Sequence, residues 1–328
     1  MKNSILFACL CWVISVFVTT PVTAAALKKV KVTVPRNSVF ILNALGGKDA
    51  GIFKKHGIDL IPDIRPFKGH MAGLPAREVM VTTYAGTAAI GRINQGMDLV
   101  VIGGGLTVMQ EVFVLKNSPF KTISDLKGKK FASWSTGAGA FKATRAAIID
   151  GYGFDVLKDT KFVQAAPPAL FKLLERGDVD SMFNISSLTI AAASQPDKYR
   201  SIFAPNDYWK KKTGQPIVWS GPLVAWRDWV NEDRARAKAV SKAFMESFKW
   251  LRKPENLDKA VEKFGRLAAV KNKAQAATYK KWLMSHRIFL GKWDKDTVNK
   301  QWNFLEMAKK HGVLKTVPSQ AKAAVIFD

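Results

Sequence analysis

Residues 111–155 constrain this chain more than any other stretch. They open with an apolar run, Val112-Phe113-Val114-Leu115, that has the length and branched side chains of a buried strand. A turn follows at Asn117-Ser118-Pro119. Ser124-Asp125-Leu126-Lys127-Gly128-Lys129-Lys130 reads as a short capped helical turn, and it leads into a second strand at Phe131-Ala132-Ser133. That strand ends in Trp134-Ser135-Thr136-Gly137-Ala138-Gly139-Ala140. A helical pattern over 141–150 then stops at Gly151-Tyr152-Gly153. A strand feeding a helix through Ser, Thr and Gly leaves unpaired N–H groups at the positive end of the helix dipole, where an anion is stabilised. An ordinary strand-to-helix turn has the same composition, so the loop alone does not separate the two readings.

The rhythm recurs on both sides. Residues 30–34 form a strand, followed by the loop Pro35-Arg36-Asn37-Ser38 and an apolar run over 39–45. Residues 48–57 read as a helix end closed by Gly57, with a strand starting at Ile58. Residues 78–82 form a strand ending in Thr82-Thr83-Tyr84-Ala85-Gly86-Thr87, before a helix over 88–94 that stops at Gly96. Residues 98–102 are the next strand, ending at Gly103-Gly104-Gly105. Further on come a strand at 161–163, a helix started by Pro167-Pro168, and a strand within 178–183. The loop Asn184-Ile185-Ser186-Ser187 then falls on the same sheet edge as the Ser135 loop. Residues 223–226 read as a return strand. The remainder is helical, with Asn231 as an N-cap and apolar stripes through Val240, Phe244 and Phe248, through Leu257, Val261 and Phe264, through Tyr279 and Trp282, and through Val298, Trp302 and Leu305. Strands alternating with helices predict an α/β sheet architecture.

The chain has 328 residues, enough for two domain cores. Residues 1–26 read as an export leader, with Lys2 as the positive end, an apolar stretch over 5–18, and small residues at Val22-Thr23-Ala24 and Ala24-Ala25-Ala26. Both cysteines, Cys9 and Cys11, fall inside it, so the mature chain is expected to lack thiols, disulfides and thiolate metal sites. The net charge of +25, less the one charge of Lys2, leaves +24. Nucleic acid is a possible partner for so basic a chain. The export leader and the scattering of the charges along helices argue instead for a solvated cationic surface that raises the local concentration of anionic solutes.

Signatures of several enzyme classes are missing. The sequence contains no GxSxG, HExxH or Walker loop, and no GxGxxG after a strand. His56, His70, His286 and His311 are far apart, with no carboxylate spaced to make a metal site. His56 fits a cation in a last helical turn, and Asp178 with Asp180 fit a solvated strand entry.

Three segments in chain order resemble one family. They are Gly51-Ile52-Phe53-Lys54-Lys55-His56-Gly57-Ile58-Asp59-Leu60, the run from Ser118-Pro119 through Asp125-Leu126-Lys127-Gly128-Lys129-Lys130 with its loop and helix, and Leu174 to Asp180 around Gly177. They are similar to solute-binding proteins of bacterial ABC importers, most of all to the nitrate, sulfonate and taurine group, which shares its fold with thiamine-pyrimidine synthases. The synthases carry a cysteine-rich motif that this chain lacks. The resemblance implies an α/β, two-lobed periplasmic-binding-protein fold (type II-like) with two hinge crossings, near Gln110 and Ser220. Lobe one would hold 27–110 and 220–328, including the helical C-terminal region, and lobe two 111–219. It further implies a periplasmic, non-enzymatic, monomeric receptor without cofactor or metal, which hands a small anionic solute to the permease of an ABC importer and binds no nucleic acid. A receptor of the same fold serving a sensor or another transporter class, and a periplasmic enzyme, are the alternatives.

On that fold, ligands sit at the carboxyl ends of strands. The candidate ligand residues are therefore Arg36, Asn37 and Ser38 after the first strand, and Thr83, Tyr84 and Ala85 after the third. Across the cleft they are Trp134, Ser135, Thr136 and Gly137, with Asn184 and Ser186 in the next loop and Trp219 before the return strand. Arg36 is the candidate for a bidentate contact to a carboxylate or sulfonate. Tyr84, Trp134 and Trp219 are candidate aromatic walls, with packing between lobes as the competing role.

Overall fold

The computed structural model describes residues 26–285 and 288–327. The expected leader up to residue 25, with Cys9 and Cys11, and also His286, lie outside the described residues. In chain order the first stretch contains β1 (Lys28–Pro35), α1 (Phe40–Asp49), α2 (Ile52–Lys55), β2 (Ile58–Arg65), α3 (Phe67–Gly73), β3 (Val81–Thr83), α4 (Gly86–Asn94) and β4 (Leu99–Leu106). The second contains β5 (Val112–Leu115), a 3-10 turn (Ile123–Leu126), β6 (Lys130–Ser133), α5 (Gly139–Tyr152), β7 (Lys161–Gln164), α6 (Pro167–Glu175), β8 (Ser181–Phe183), α7 (Ser186–Ala193), β9 (Tyr199–Phe203) and α8 (Pro205–Thr213). The chain ends with β10 (Gly221–Trp226), α9 (Arg227–Glu232), α10 (Arg234–Trp250), α11 (Pro254–Phe264), α12 (Lys273–Met284), α13 (Lys295–Lys310) and α14 (Gln320–Ala323).

The second stretch forms a five-stranded sheet of order β7-β6-β8-β5-β9. β6 runs parallel to β7 and β8, and β5 runs antiparallel to β8 and β9. The first stretch builds the same order in two pieces. β1 pairs with β2 in parallel, and β10 lies antiparallel between β3 and β4. β1 packs beside β3 without a backbone ladder. Side chains close this seam: Thr82 Oγ1 donates to the Thr33 carbonyl at 2.7 Å, and His70 Nδ1 lies 3.0 Å from Thr33 Oγ1. Counting the seam as a neighbour relation gives β2-β1-β3-β10-β4, strand for strand the order of the other sheet.

Three readings of the sequence change. The strand expected over 98–102 runs on to Leu106, so Gly103, Gly104 and Gly105 lie within β4 rather than ending it. A Cβ on Gly105 would stand 2.1 Å from the Gly221 carbonyl oxygen, and one on Gly104 would stand 2.2 Å from that of Leu290. The glycines let backbone press against backbone on both sides. The N-cap of α10 is Asp233, which accepts from the Arg236 N–H at 2.8 Å, and Asn231 lies inside α9. α5 starts at Gly139 and continues through Gly151 to Tyr152, where Gly153 closes it at φ 67°.

Aromatic residues bind the layers together. Phe53 meets Phe244 edge-on at 5.1 Å, and Phe248 stacks on Phe289 at 4.5 Å, which seats α10 on the first sheet. α13 makes a different set of contacts. Phe304 meets Trp209 of α8 at 5.1 Å, His311 lies 3.1 Å from Asp150 of α5, and the Gln301 amide bonds Val218 N–H and the Pro216 carbonyl. The last long helix therefore lies along the second stretch, while α10 covers the first sheet. α4 packs on α5 and α7 packs on α12, so the two halves touch on both sides of the line between their sheets. Among the described residues no helix is long and apolar enough to cross a membrane.

Candidate functional site

Helices that follow parallel strands begin at the carboxyl ends of those strands, so α1, α4, α5 and α7 all start along the line where the two sheets face each other. After β1, Arg36 and Asn37 are exposed. The Arg36 N–H donates to the Arg65 carbonyl at 2.7 Å, and the Asn37 N–H donates to that of Leu267 at 3.0 Å. Asn37 takes φ 58°, in the left-handed region that Asn tolerates better than most residues. Ser38 is buried, and its Oγ accepts from the Phe40 N–H at 3.3 Å, which turns the chain into α1. The Arg36 guanidinium has no acidic partner among the described residues.

After β3 the chain turns inward. Thr83 is buried. Tyr84 is wholly buried, its hydroxyl donating to the Met71 carbonyl at 3.1 Å and accepting from Arg92 Nε at 2.8 Å. Ala85 is the partly buried residue before α4. The Gly86 N–H donates to the Trp219 carbonyl at 3.1 Å, and a Cβ on Gly86 would lie 2.6 Å from the Trp219 ring. Trp219 is itself wholly buried, its indole N–H donating to the Gln301 carbonyl at 3.0 Å and its ring edge-on to Trp302 at 5.4 Å. Tyr84 and Trp219 thus depart from the expected aromatic walls. They pack beneath α4, because their polar atoms find fixed partners there and glycine leaves room for the ring.

On the second sheet the loop is open. Trp134 is partly buried and stacks on Phe183 at 5.4 Å and 16°. Ser135 Oγ accepts from the Gly137 N–H at 3.2 Å, and Thr136 and Gly137 are exposed. Asn184 is buried and acts as a clamp, its Nδ2 donating to the Pro167 carbonyl and its Oδ1 accepting from Ile185 N–H, both at 2.9 Å. Ser186 is the first residue of α7 and partly buried, inside the helix rather than in a loop.

The two halves meet where α4 and α5 begin. A Cβ on Gly139 would lie 2.9 Å from Thr87 Oγ1 and 3.3 Å from the Trp219 carbonyl. Thr87 is 4 % exposed, and its Oγ1 has no hydrogen-bond partner. A buried hydroxyl without a partner costs about 1–3 kcal/mol, and Thr87 Oγ1 is such a group, set where α4 and α5 begin. Thr87 was the last residue of the small polar loop in the sequence, and nothing in the sequence alone marked it above its neighbours. No group of three or more His, Cys, Asp or Glu that could hold a metal ion occurs among the described residues.

The fold is that of periplasmic binding proteins. The periplasmic aliphatic sulphonate binding protein SsuA of Escherichia coli shares it with a TM-score of 0.70 at 15% identity, covering 90% of this chain and 92% of its own. SsuA of Xanthomonas axonopodis pv. citri, bound to MOPS, gives 0.67 at 13% identity, covering 93% and 100%. The desulfurization enzyme DSZB, in a mutant form complexed with biphenyl-2-sulfinic acid, gives 0.62 at 11%, covering 90% and 96%. The family described as NMT1/THI5 like matches residues 41–256, and the chain belongs to that family. No curated protein sequence matches it.

Proposed function

We propose that this chain is an exported solute-binding protein that captures a small organic anion between two lobes and delivers it to an ABC importer. The lobes of this reading are 27–110 with 220–328, and 111–219. The observation that carries it is the unpartnered, buried Thr87 hydroxyl held between the N-termini of α4 and α5. Two helix dipoles and a free donor converge on one point, an arrangement that favours negative charge. Arg36, Ser135, Thr136, Gly137 and Ser186 lie just after the carboxyl ends of strands with surface open to solvent, and Trp134 supplies a flat apolar wall. That two structural relatives are named as sulfonate binders agrees with a sulfonate or carboxylate head group.

The test is a thermal-shift screen of sulfonates, carboxylates, nitrate and pyrimidines, because a ligand that binds only the native state raises apparent stability. An anionic hit should also reduce the radius of gyration in small-angle scattering as the lobes close. Only neutral or cationic hits would refute the electrostatic reading. A second reading, an enzyme, is favoured by the shared fold of a desulfurization enzyme; conversion of the bound anion would establish it and displace the receptor.

A further inference from the structure

Resting on that reading, we propose that the charge of the solute's head group is neutralised by Lys142, in the first turn of α5. Five lysines among the described residues are partly buried: Lys48, Lys142, Lys238, Lys280 and Lys300. Lys48 donates to the Leu60 carbonyl at 2.5 Å, Lys280 pairs with Asp258 at 2.8 Å, and Lys300 with Asp296 at 3.0 Å. Lys142 and Lys238 have no partner among the described residues. Lys238 lies in the second turn of α10, whose N-cap Asp233 bonds Lys28 at the amino end of β1, the edge away from the strand carboxyl ends. Lys142 lies at the other edge, three residues after Gly139.

Side chains on a helix lean toward its N-terminus, so the Lys142 ammonium reaches back over the first turn, where Gly139 meets Thr87. Arg145, one turn on, is committed to Asp155 at 2.5 and 2.7 Å. Lys142 is therefore the cation of α5 that remains available. Partial burial without a counter-ion costs a lysine solvation, and a bound anion returns it. The ligand class follows: a solute with a full negative charge, a sulfonate or carboxylate, rather than a neutral heterocycle held by hydroxyls alone.

Calorimetry with MOPS and with 1-pentanesulfonate, at low and high salt, on wild type, Lys142→Gln and Lys142→Arg tests this. Lys142→Gln is expected to bind at least tenfold more weakly and to lose part of the salt dependence, with Lys142→Arg recovering most of both. Lys142→Gln binding as tightly as wild type would overturn the role of Lys142 while leaving the anion site standing. Wild type that binds neither sulfonate nor any carboxylate would remove the anion site itself, and this proposal with it. The unmutated chain gives an independent measurement: acetylation of Lys142 should slow when MOPS is added while that of Lys238 does not, and equal rates with and without MOPS would count against the contact.

Discussion

Gly139 and Thr87 touch across the two sheets, with room between them for a hydrogen and not for a methyl group. A Cβ at Gly139 would press on Thr87 Oγ1 at 2.9 Å and on the Trp219 carbonyl at 3.3 Å. Gly139→Ala is expected to hold α4 and α5 apart. Alanine in a helix gains about 1 kcal/mol over glycine, which offsets much of the crowding, so the melting temperature should change little. Affinity for a proven anionic ligand should fall roughly tenfold, about 1.4 kcal/mol, and the scattering radius of the complex should rise. Unchanged affinity would mean that closure does not use this contact.

Arg36 is exposed and makes no ion pair among the described residues, so its removal should leave folding stability alone. If its guanidinium holds the anion, Arg36→Ala should weaken binding by roughly 1.5–3 kcal/mol, the range for hydrogen bonds to charged groups. Titration of both proteins with the same ligand decides it, and equal dissociation constants exclude Arg36 as a contact.

The glycines of β4 make a sharper claim about folding. Gly105→Ala would force a methyl group to 2.1 Å from the Gly221 carbonyl oxygen, against the backbone of Gly221 and Pro222 with nothing flexible to yield. A loss of about 3 kcal/mol, the upper end for overpacking, is expected as a lower urea midpoint. Gly96→Ala is a useful contrast. It meets no atom within 4 Å and is strained only by its φ of 96°.

His70 makes stability depend on pH. Burial, more than any other influence, pushes its pKa down to about 4, although hydrogen bonds from the ring to Thr33 and Thr83 oppose the shift and nearby Arg65 adds to it. Well above pH 6.5 the ring is neutral in both folded and unfolded chains and contributes no dependence. Below that, the unfolded chain takes up a proton that the folded chain refuses, so stability falls as pH drops toward 4. At about 1.4 kcal/mol per pH unit the loss is roughly 3 kcal/mol across the window. His70→Asn should remove this decline, so the wild-type minus variant difference in urea midpoints should fall between pH 7 and pH 4.5. A parallel decline in both proteins would assign the pH dependence to other groups.

Most strands were legible because their apolar runs are short and bounded by polar and turn-forming residues, as at Val112-Phe113-Val114-Leu115 between Glu111 and Lys116-Asn117-Ser118-Pro119. β9 was missed. Its Tyr-Arg-Ser-Ile-Phe run alternates poorly, because Arg200 is drawn inward to the carbonyls of Ser118 and Phe120 at 3.1 and 2.8 Å. The three glycines of β4 carry a turn signature, and only the neighbouring Gly221 and Leu290 carbonyls explain why they form a strand. At the site, the loops could be located from composition. The burial of Trp219 could not, since its fate depends on Gly86 and Gln301, 133 positions before it and 82 after in the chain. Lys142 was equally hidden: a lysine in a helix shows neither its burial nor its lack of a partner until the neighbours are in place.

The shared strand order has a consequence for how the molecule comes into being. All five strands of the β7-β6-β8-β5-β9 sheet have been made once the chain reaches Phe203. The other sheet cannot close at that stage, because β3 and β4 have no strand between them until residues 221–226 arrive. A chain synthesised from its N-terminus thus completes its later half first. The earlier half waits as an open pair of edges, which are prone to pair with other chains until filled. A chain released before Gly221 should therefore show a protease-resistant core drawn from residues after 111, and its aggregation should arise from the β3 and β4 edges that β10 normally occupies.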